Sequence, residues 1–257
     1  MDLTDPKIRN VFFDIHDGLP REGPGNQAST ARALALAGPL PTPVHVLDIA
    51  CGPGTQTMDL AFLLPDAEII AIDIHPPFVE AAHRRAIAAG ADERVDARRG
   101  DMKALAFPDA TFDLIWCEGG AYLMGVEAAL ASWRRLLKPG GRLAFTDAVW
   151  LTAEPPAEAR EFWAADYPAI GDIAAARARA EAAGYRLLGD FVLPEDAWWR
   201  DYYTPMAQRI ELLEGKYAER PAALEVLTES RREIEIYRRH ADSYGYLFMV
   251  LALAEGD

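Results

Sequence analysis

From residue 44 onward, short apolar runs rich in branched residues alternate with stretches whose apolar positions recur every three or four residues. The first kind predicts strands and the second helices, and their alternation predicts a parallel sheet joined by crossover helices. "VHVLDIA" (44–50), "EIIAIDI" (68–74), "RVDARRGD" (94–101), "FDLIWCE" (112–118) and "RLAFTDAVW" (142–150) are the first five strands. Between them, "TQTMDLAFLL" and "PPFVEAAHRRAIAAG" are helices, the second with prolines at its start and Gly90 at its end. "VEAALASWRRLLKPGG" is a further helix, stopped by Pro-Gly-Gly. The strands are nearly continuous apolar runs, as expected when helices cover both faces of a sheet.

After residue 150 the alternation loosens. "AREFWAADYPAI" and "IAAARARAEAAG" read as helices, "YRLLGDFVLP" (185–194) as a sixth strand and "YGYLFMVLALAEG" (244–256) as a seventh. Residues 195–243 form a polar and aromatic insertion with helical patterns over 205–219 and 221–241. The expected organisation is one domain over 1–257. Residues 1–43 form an N-terminal arm and helix, 44–194 and 244–257 the core, and 195–243 a helical cap.

Charge narrows the partners. The chain holds 26 Lys and Arg against 40 Asp and Glu, a formal charge of −14. Such a surface repels phosphate backbones, and "RRG", "WRRLLK" and "YRRH" are too short and dispersed to make a basic patch, so nucleic acid is disfavoured. The longest apolar run, "YLFMVLALA", is too short to span a bilayer. "MDLTDPKIRN" lacks the charge order of a signal peptide, and two cysteines suggest a reducing compartment, so a cytoplasmic location is expected. Both cysteines, Cys51 and Cys117, read as small apolar filling. His16, His75 and His240 show no repeated ligand spacing, so no metal is expected. Nothing in the pattern fixes an oligomeric state.

The first strand runs into "VLDIACGPGTQT" (46–57), a glycine turn of the kind that brings backbone close to a cofactor. A pyrophosphate on the following helix would be repelled by Asp48, and Thr57 stands where a third glycine would be. No Lys or Arg occurs from Val44 to His83. An acidic strand end without basic relief suits a cation or hydroxyl and amine donors, and S-adenosylmethionine meets that description. Asp73 lies 21 residues after Gly52, the spacing at which a carboxylate accepts from ribose hydroxyls. Asp101 ends the third strand, where it can accept from an adenine amino group beside the Met102 N–H. Glu118 ends the fourth. Asp48 and Asp73 also read as turn and helix caps, but acids at four strand ends favour a cofactor site.

These residues carry a resemblance. With "VLDIACGPGTQT", "IIAIDI", "GDM", "FDLIWCEGGAYLMG" and "LLKPGGRLAFTD" in register, the chain resembles class I S-adenosylmethionine-dependent methyltransferases. The group is the broad one related to ubiquinone- and menaquinone-biosynthesis methyltransferases. The match is strong over 44–147, and a Gly-Pro-Gly segment before the first strand and "YGY" before the last match a smaller bacterial branch. The resemblance implies an α/β, Rossmann-like, seven-stranded sheet of order 3-2-1-4-5-7-6 with the last strand antiparallel. It implies S-adenosylmethionine as cofactor, with Asp48, Gly52 and Gly54 along its methionine part. Asp73 and Ile74 would lie at the ribose, and Asp101 and Met102 at the adenine. Arg21, the basic residue of "LPREGPGNQAST", would meet its carboxylate.

The cap, the segment after the fifth strand and the N-terminal arm all leave the sheet on the cofactor side, and together they hold much of the aromatic content. Trp150, Trp163, Tyr167, Trp198, Trp199, Tyr202 and Tyr203 are the candidate acceptor-binding residues, with Phe12, Phe13 and Phe162 beside them. Methyl transfer is an in-line displacement that needs alignment, exclusion of water and, for some acceptors, a base. Glu118 is the candidate base with Tyr122 as its hydrogen-bonding partner; equally, Glu118 reads as a ligand of the cofactor ammonium. The expected function is methyl transfer to a small molecule. The alternatives are an NAD(P)-dependent oxidoreductase and a non-catalytic cofactor-binding sensor or scaffold.

Overall fold

The computed structural model describes residues 4–254. The arm before the sheet holds two helices. In α1 (Pro6–His16), Asp5 accepts from the Lys7 N–H, and in α2 (Gln27–Ala37), Asn26 accepts from the Ser29 N–H. Each cap satisfies a donor that the first helical turn leaves free. The core then runs β1 (His45–Ile49), α3 (Thr55–Leu63), β2 (Glu68–Asp73), α4 (Pro76–Ala88), β3 (Val95–Arg99) and β4 (Phe112–Cys117). A 3₁₀ turn over Ala121–Met124 leads to α5 (Val126–Arg134) and β5 (Leu137–Trp150). Then follow α6 (Ala157–Asp166), a two-residue β6 (Gly171–Asp172), α7 (Ile173–Ala182) and β7 (Tyr185–Val192). A single helical turn, α8 (Asp196–Trp198), passes through a π turn at Trp199–Tyr203 into α9 (Thr204–Tyr217) and α10 (Pro221–His240), and β8 (Tyr244–Leu253) closes the sheet.

The strand order is β3-β2-β1-β4-β5-β8-β7, with β6 added beside the end of β5. The first five strands run parallel, and β8 lies antiparallel between β5 and β7, pairing Asp147 with Leu247 and Phe191 with Phe248. This is the expected order once β6 is set aside. Boundaries differ in places. The helix expected through "KPGG" stops at Arg134, and Leu137–Gly141 extends β5, with Leu137 opposite Phe112 and a register shift after it. "YPAI" is not helical, since α6 ends at Asp166. Of the seventh strand expected over 244–256, Glu255 and Gly256 lie outside the described residues.

Alternate residues of each strand feed different cores. Leu47, Ile49, Ile115, Phe145 and Leu251 pack with α5 and α7 residues such as Trp133 and Ala176. Val46, Leu114, Trp116, Phe248 and Val250 pack with α2 and α3 residues such as Ala33 and Leu60. Period-two alternation between two covered faces makes every position of β4 and most positions of β1 and β8 buried. It also puts Asp48, even-numbered like Val46, on the α3 side. The helices after β7 stand over the carboxyl ends of the strands with α1, which packs on both α9 and α10, while α6 packs on α10.

Candidate active site

The loop after β1 turns on left-handed backbone at Ala50 (φ 56°), Gly52 (φ 53°) and Gly54 (φ 86°). Gly54 caps α3, and a Cβ there would stand 2.7 Å from the Ala82 Cβ of α4. Only a glycine lets the loop and α4 approach so closely. Asp48 is fully buried beneath the loop and accepts from the Thr57 hydroxyl at 2.6 Å, so the residue in the third-glycine place is its partner. Among the described residues its Oδ1 has no hydrogen-bond partner. Burial pushes the Asp48 carboxyl up to about 7. Asp73 accepts from the Gly52 N–H at 3.0 Å and the His75 N–H at 2.8 Å, tying β2 to the loop, and burial raises its carboxyl.

Arg21 comes in from the arm and is buried between two acids. Its Nη2 donates to Asp59 of α3 at 2.5 Å and its Nη1 to Glu118 at 2.8 Å. Glu118 also accepts from Trp116 Nε1 at 2.8 Å and from the Thr30 hydroxyl at 3.4 Å, so both its oxygens are engaged. Gly25 makes room for this pair, since a Cβ there would fall 2.5 Å from Glu118 Oε2. Among the described residues no hydrogen bond joins Glu118 to Tyr122, whose ring instead lies 5.6 Å from that of Tyr167. Beside Arg21, Glu22 packs against Gly52 and meets His16 Nδ1 at 2.6 Å.

The adenine-side candidates lie at the neighbouring strand ends. Asp101 is exposed and accepts from the Lys103 N–H at 2.9 Å, Met102 packs near Gly120, and Ile74 is 59% exposed. A groove of about 960 Å³ runs beside the loop between α1, α4 and the α9–α10 junction, bordered by Pro53 and His75. Phe13 stacks on His75 at its rim with ring centroids 3.7 Å apart.

The aromatic candidates divide. Trp198 stacks on Tyr237 at 4.1 Å and Trp163 meets Tyr244 edge-on at 5.3 Å, with Trp150 at the far edge of the same ring. Tyr202 and Tyr203 stack at 4.8 Å and both hydroxyls donate to Glu233 of α10, at 3.3 and 3.1 Å. Trp199 turns outward, donating to Glu195 and lying under Arg238. Tyr167 joins Asp147 and Arg179. Phe162 packs edge-on against Trp163, and Phe12 stacks on His16. His240 meets Glu158 at 2.9 Å.

Residues 46–141 match the family model of a methyltransferase domain. The trans-aconitate 2-methyltransferase of Paracidovorax citrulli is 32% identical over 210 residues, 79% of this chain and 78% of that protein. The chain belongs to the class I S-adenosylmethionine-dependent methyltransferases. A second relative, the demethylmenaquinone methyltransferase of Symbiobacterium thermophilum, is 35% identical over 102 residues. That alignment covers 38% of this chain and 40% of the relative. The chain thus spans 40–45% of the length of several curated relatives it matches. A methyltransferase from Thiobacillus denitrificans solved with S-adenosylhomocysteine has the same fold, with a TM-score of 0.81 at 20% identity over 95% of this chain and 98% of that one.

The residues present fit the family's cofactor. Asp48, whose Oδ1 has no hydrogen-bond partner among the described residues, and the raised Asp73 carboxyl put two acids at the glycine cradle, with the Arg21 guanidinium buried between Asp59 and Glu118; Arg85, absent from the local sequence of the loop, reaches Thr55 from α4. Among the described residues no helix is long and apolar enough to cross a membrane, and no three His, Cys, Asp or Glu side chains gather as a metal site. Sequence reasoning missed Asp59, Thr30, Trp116 and the His16–Glu22 pair. Asp59 sits in a short helix with no motif to mark it, and Thr30 reaches Glu118 only through the fold, whereas Trp116 lies two residues before Glu118 and was within reach of a period-two reading.

Proposed function

We propose that this methyltransferase moves a methyl group from S-adenosylmethionine to a small-molecule acceptor held between the strand ends and the helices α8–α10. The observation that carries the reading is the buried, under-partnered Asp48 beside the Asp73–Gly52 clasp, an anionic cradle suited to a cationic nucleoside. Bound there, S-adenosylmethionine supplies a methyl group on a positively charged sulfur that leaves as a neutral thioether. Asp73 holds the ribose hydroxyls, and Asp101 and Met102 the adenine edge. Arg21 sets the cofactor carboxylate, and Glu118 receives the ammonium. Glu118 is assigned to positioning beside Arg21, with which it is paired at 2.8 Å, and the base role that the sequence also suggested is the alternative for the same side chain. The arm and the cap exclude water and align the acceptor with the methyl group.

Calorimetry with S-adenosylhomocysteine and NAD(P) tests the reading. S-adenosylhomocysteine should bind far more tightly, and Asp73→Asn should weaken it by about 10- to 100-fold, the worth of hydrogen bonds to a charged group. Preferential binding of NAD(P) would transfer the site to hydride chemistry.

A further inference from the structure

We infer that His16, oriented by Glu22, takes the proton from the acceptor, and that the acceptor is a phenol or enol lying in the groove between α1, α4 and the α9–α10 junction. The inference rests on the methyl-transfer reading and adds to it the chemistry of the second ligand.

His16 is the last residue of α1 and lines the groove of about 960 Å³ together with Pro53 of the cofactor loop. Its Nδ1 lies 2.6 Å from Glu22 Oε2, and its ring stacks on Phe12 with centroids 4.1 Å apart. The first contact sets the tautomer, because an imidazole that donates from Nδ1 to a carboxylate keeps its lone pair on Nε2. Among the described residues Nε2 has no hydrogen-bond partner. The acid that orients the ring rests on the loop itself: a Cβ on Gly52 would stand 3.0 Å from Glu22 Cγ. The dyad therefore stands between the cofactor loop and the groove. Oε1 of Glu22 is buried and unpartnered among the described residues, so the carboxylate gains most when the imidazole beside it takes up a proton. The carboxyl end of α1 favours a positive ring as well.

The groove suits an acceptor that turns negative as it reacts. The acids lining it are already paired, Asp14 with Lys216, Asp17 with Arg209 at 3.5 Å and Glu80 with Arg84 at 3.9 Å. Arg85 and Arg220 line it too, and neither has a carboxylate partner among the described residues. Arg85 donates to the Pro20 carbonyl at 2.8 Å, and Arg220 lies over the Tyr217 ring. Glu233 of α10 is the further acid whose charge reaches the imidazole. Phe13, stacked on His75, and Phe78, edge-on to both, add flat apolar walls. A planar ring fits between such walls, with its oxyanion toward the guanidinium groups. A carboxylate acceptor has no proton for His16 to take, and an ammonium would be repelled by the unpaired arginines. In the step, the acceptor O–H bond breaks and its proton goes to Nε2 of His16. The oxygen pair forms the bond to the methyl carbon, and the carbon–sulfur pair stays on sulfur.

Two tests need no turnover. The full chain is saturated with S-adenosylhomocysteine and titrated with para-nitrophenol, whose anion alone is coloured. Binding should lower the apparent pKa of the phenol by about one pH unit, the effect of a positive charge beside it, and His16→Gln should abolish that shift. Calorimetry should find S-adenosylhomocysteine affinity within about twofold of wild type in the variant, which also shows that it is folded. Nitrogen NMR, with the His16 signals assigned by their loss in His16→Gln, should show the neutral ring protonated on Nδ1. Glu22→Gln should lower the pH at which that ring titrates by about one pH unit, since the carboxylate no longer offsets the imidazolium. With methyl-labelled S-adenosylmethionine, label should pass to a panel of phenols, and His16→Gln should lower kcat by about 100-fold or more. A phenol pKa that does not move, a shift that survives in His16→Gln, a neutral His16 protonated on Nε2, or label that passes to no phenol overturns the inference while S-adenosylhomocysteine still binds. A wild-type protein that binds no S-adenosylhomocysteine overturns the methyl-transfer reading, and this one with it.

Discussion

Replacing Asp48 by Asn should stabilise the protein at alkaline pH and weaken its grip on the cofactor. The carboxyl stands at about 7 in the fold because it is fully buried, with the Glu118 charge adding to the effect and Thr57 opposing it. Its unfolded value is near 3.8. Between those values the folded protein holds a proton that the unfolded chain has released, so stability falls as pH rises through the window. The rise corresponds to about 4 kcal/mol, of which about 3 kcal/mol is spread between about pH 5 and pH 8.5. Asn keeps an oxygen for the Thr57 hydroxyl and does not ionise. Urea denaturation of both proteins without cofactor should therefore show a gap of about 4 kcal/mol in favour of the variant at about pH 8.5, narrowing to about 1.5 kcal/mol at about pH 5. Asp59 and Asp147, both raised to about 6 by burial, contribute in the same direction but cancel in the difference. The variant should lose affinity for S-adenosylmethionine on the order of tenfold more than for S-adenosylhomocysteine, since only the former carries the sulfonium charge. A gap that does not change with pH, or a variant less stable than wild type at about pH 8.5, would refute the reasoning.

Arg21→Ala leaves Asp59 and Glu118 buried without their shared cation and should cost about 3–5 kcal/mol near pH 8. The loss should shrink as Asp59 protonates below about pH 6, and a loss under about 1 kcal/mol by urea denaturation would show that the pair is slack. Gly54→Ala adds a methyl 2.7 Å from the Ala82 Cβ at φ 86° and should cost about 2–4 kcal/mol. Pairing it with Ala82→Gly should return part of that loss, and strictly additive costs would mean that the two residues do not collide.

The sheet was readable because each buried strand announces itself as an apolar run, and each crossover helix as a three-to-four residue rhythm. The loop chemistry was readable for a similar local reason: Asp48, the glycines and Asp73 sit at spacings fixed by one strand–turn–helix–strand unit. What escaped was set by distance along the chain. "LLKPGG" carries helix-stop residues, yet pairing with Phe112 draws Leu137 into the sheet. Arg21 finds partners 38 and 97 residues away. Glu233 lies in "REIEIY", which reads as a solvated face until α1, α9 and the π turn close over it. Trp199 and Tyr167 carried the same aromatic signal as Trp198 and Tyr202, and only packing separates the rings that face outward or brace α7 from those around Glu233.

The short stretch of chain between α1 and α2 is bonded to both halves of the molecule. The Pro20 carbonyl is held by Thr55 and Arg85 on the sheet side, while the Gly25 N–H and Asn26 reach Ala197 and Asp196 on the other. A strap fastened at both ends cannot lift from one without loading the other. Stiffening the strap should therefore slow release of spent nucleoside and of product by the same factor, read as equal changes in the two off-rates.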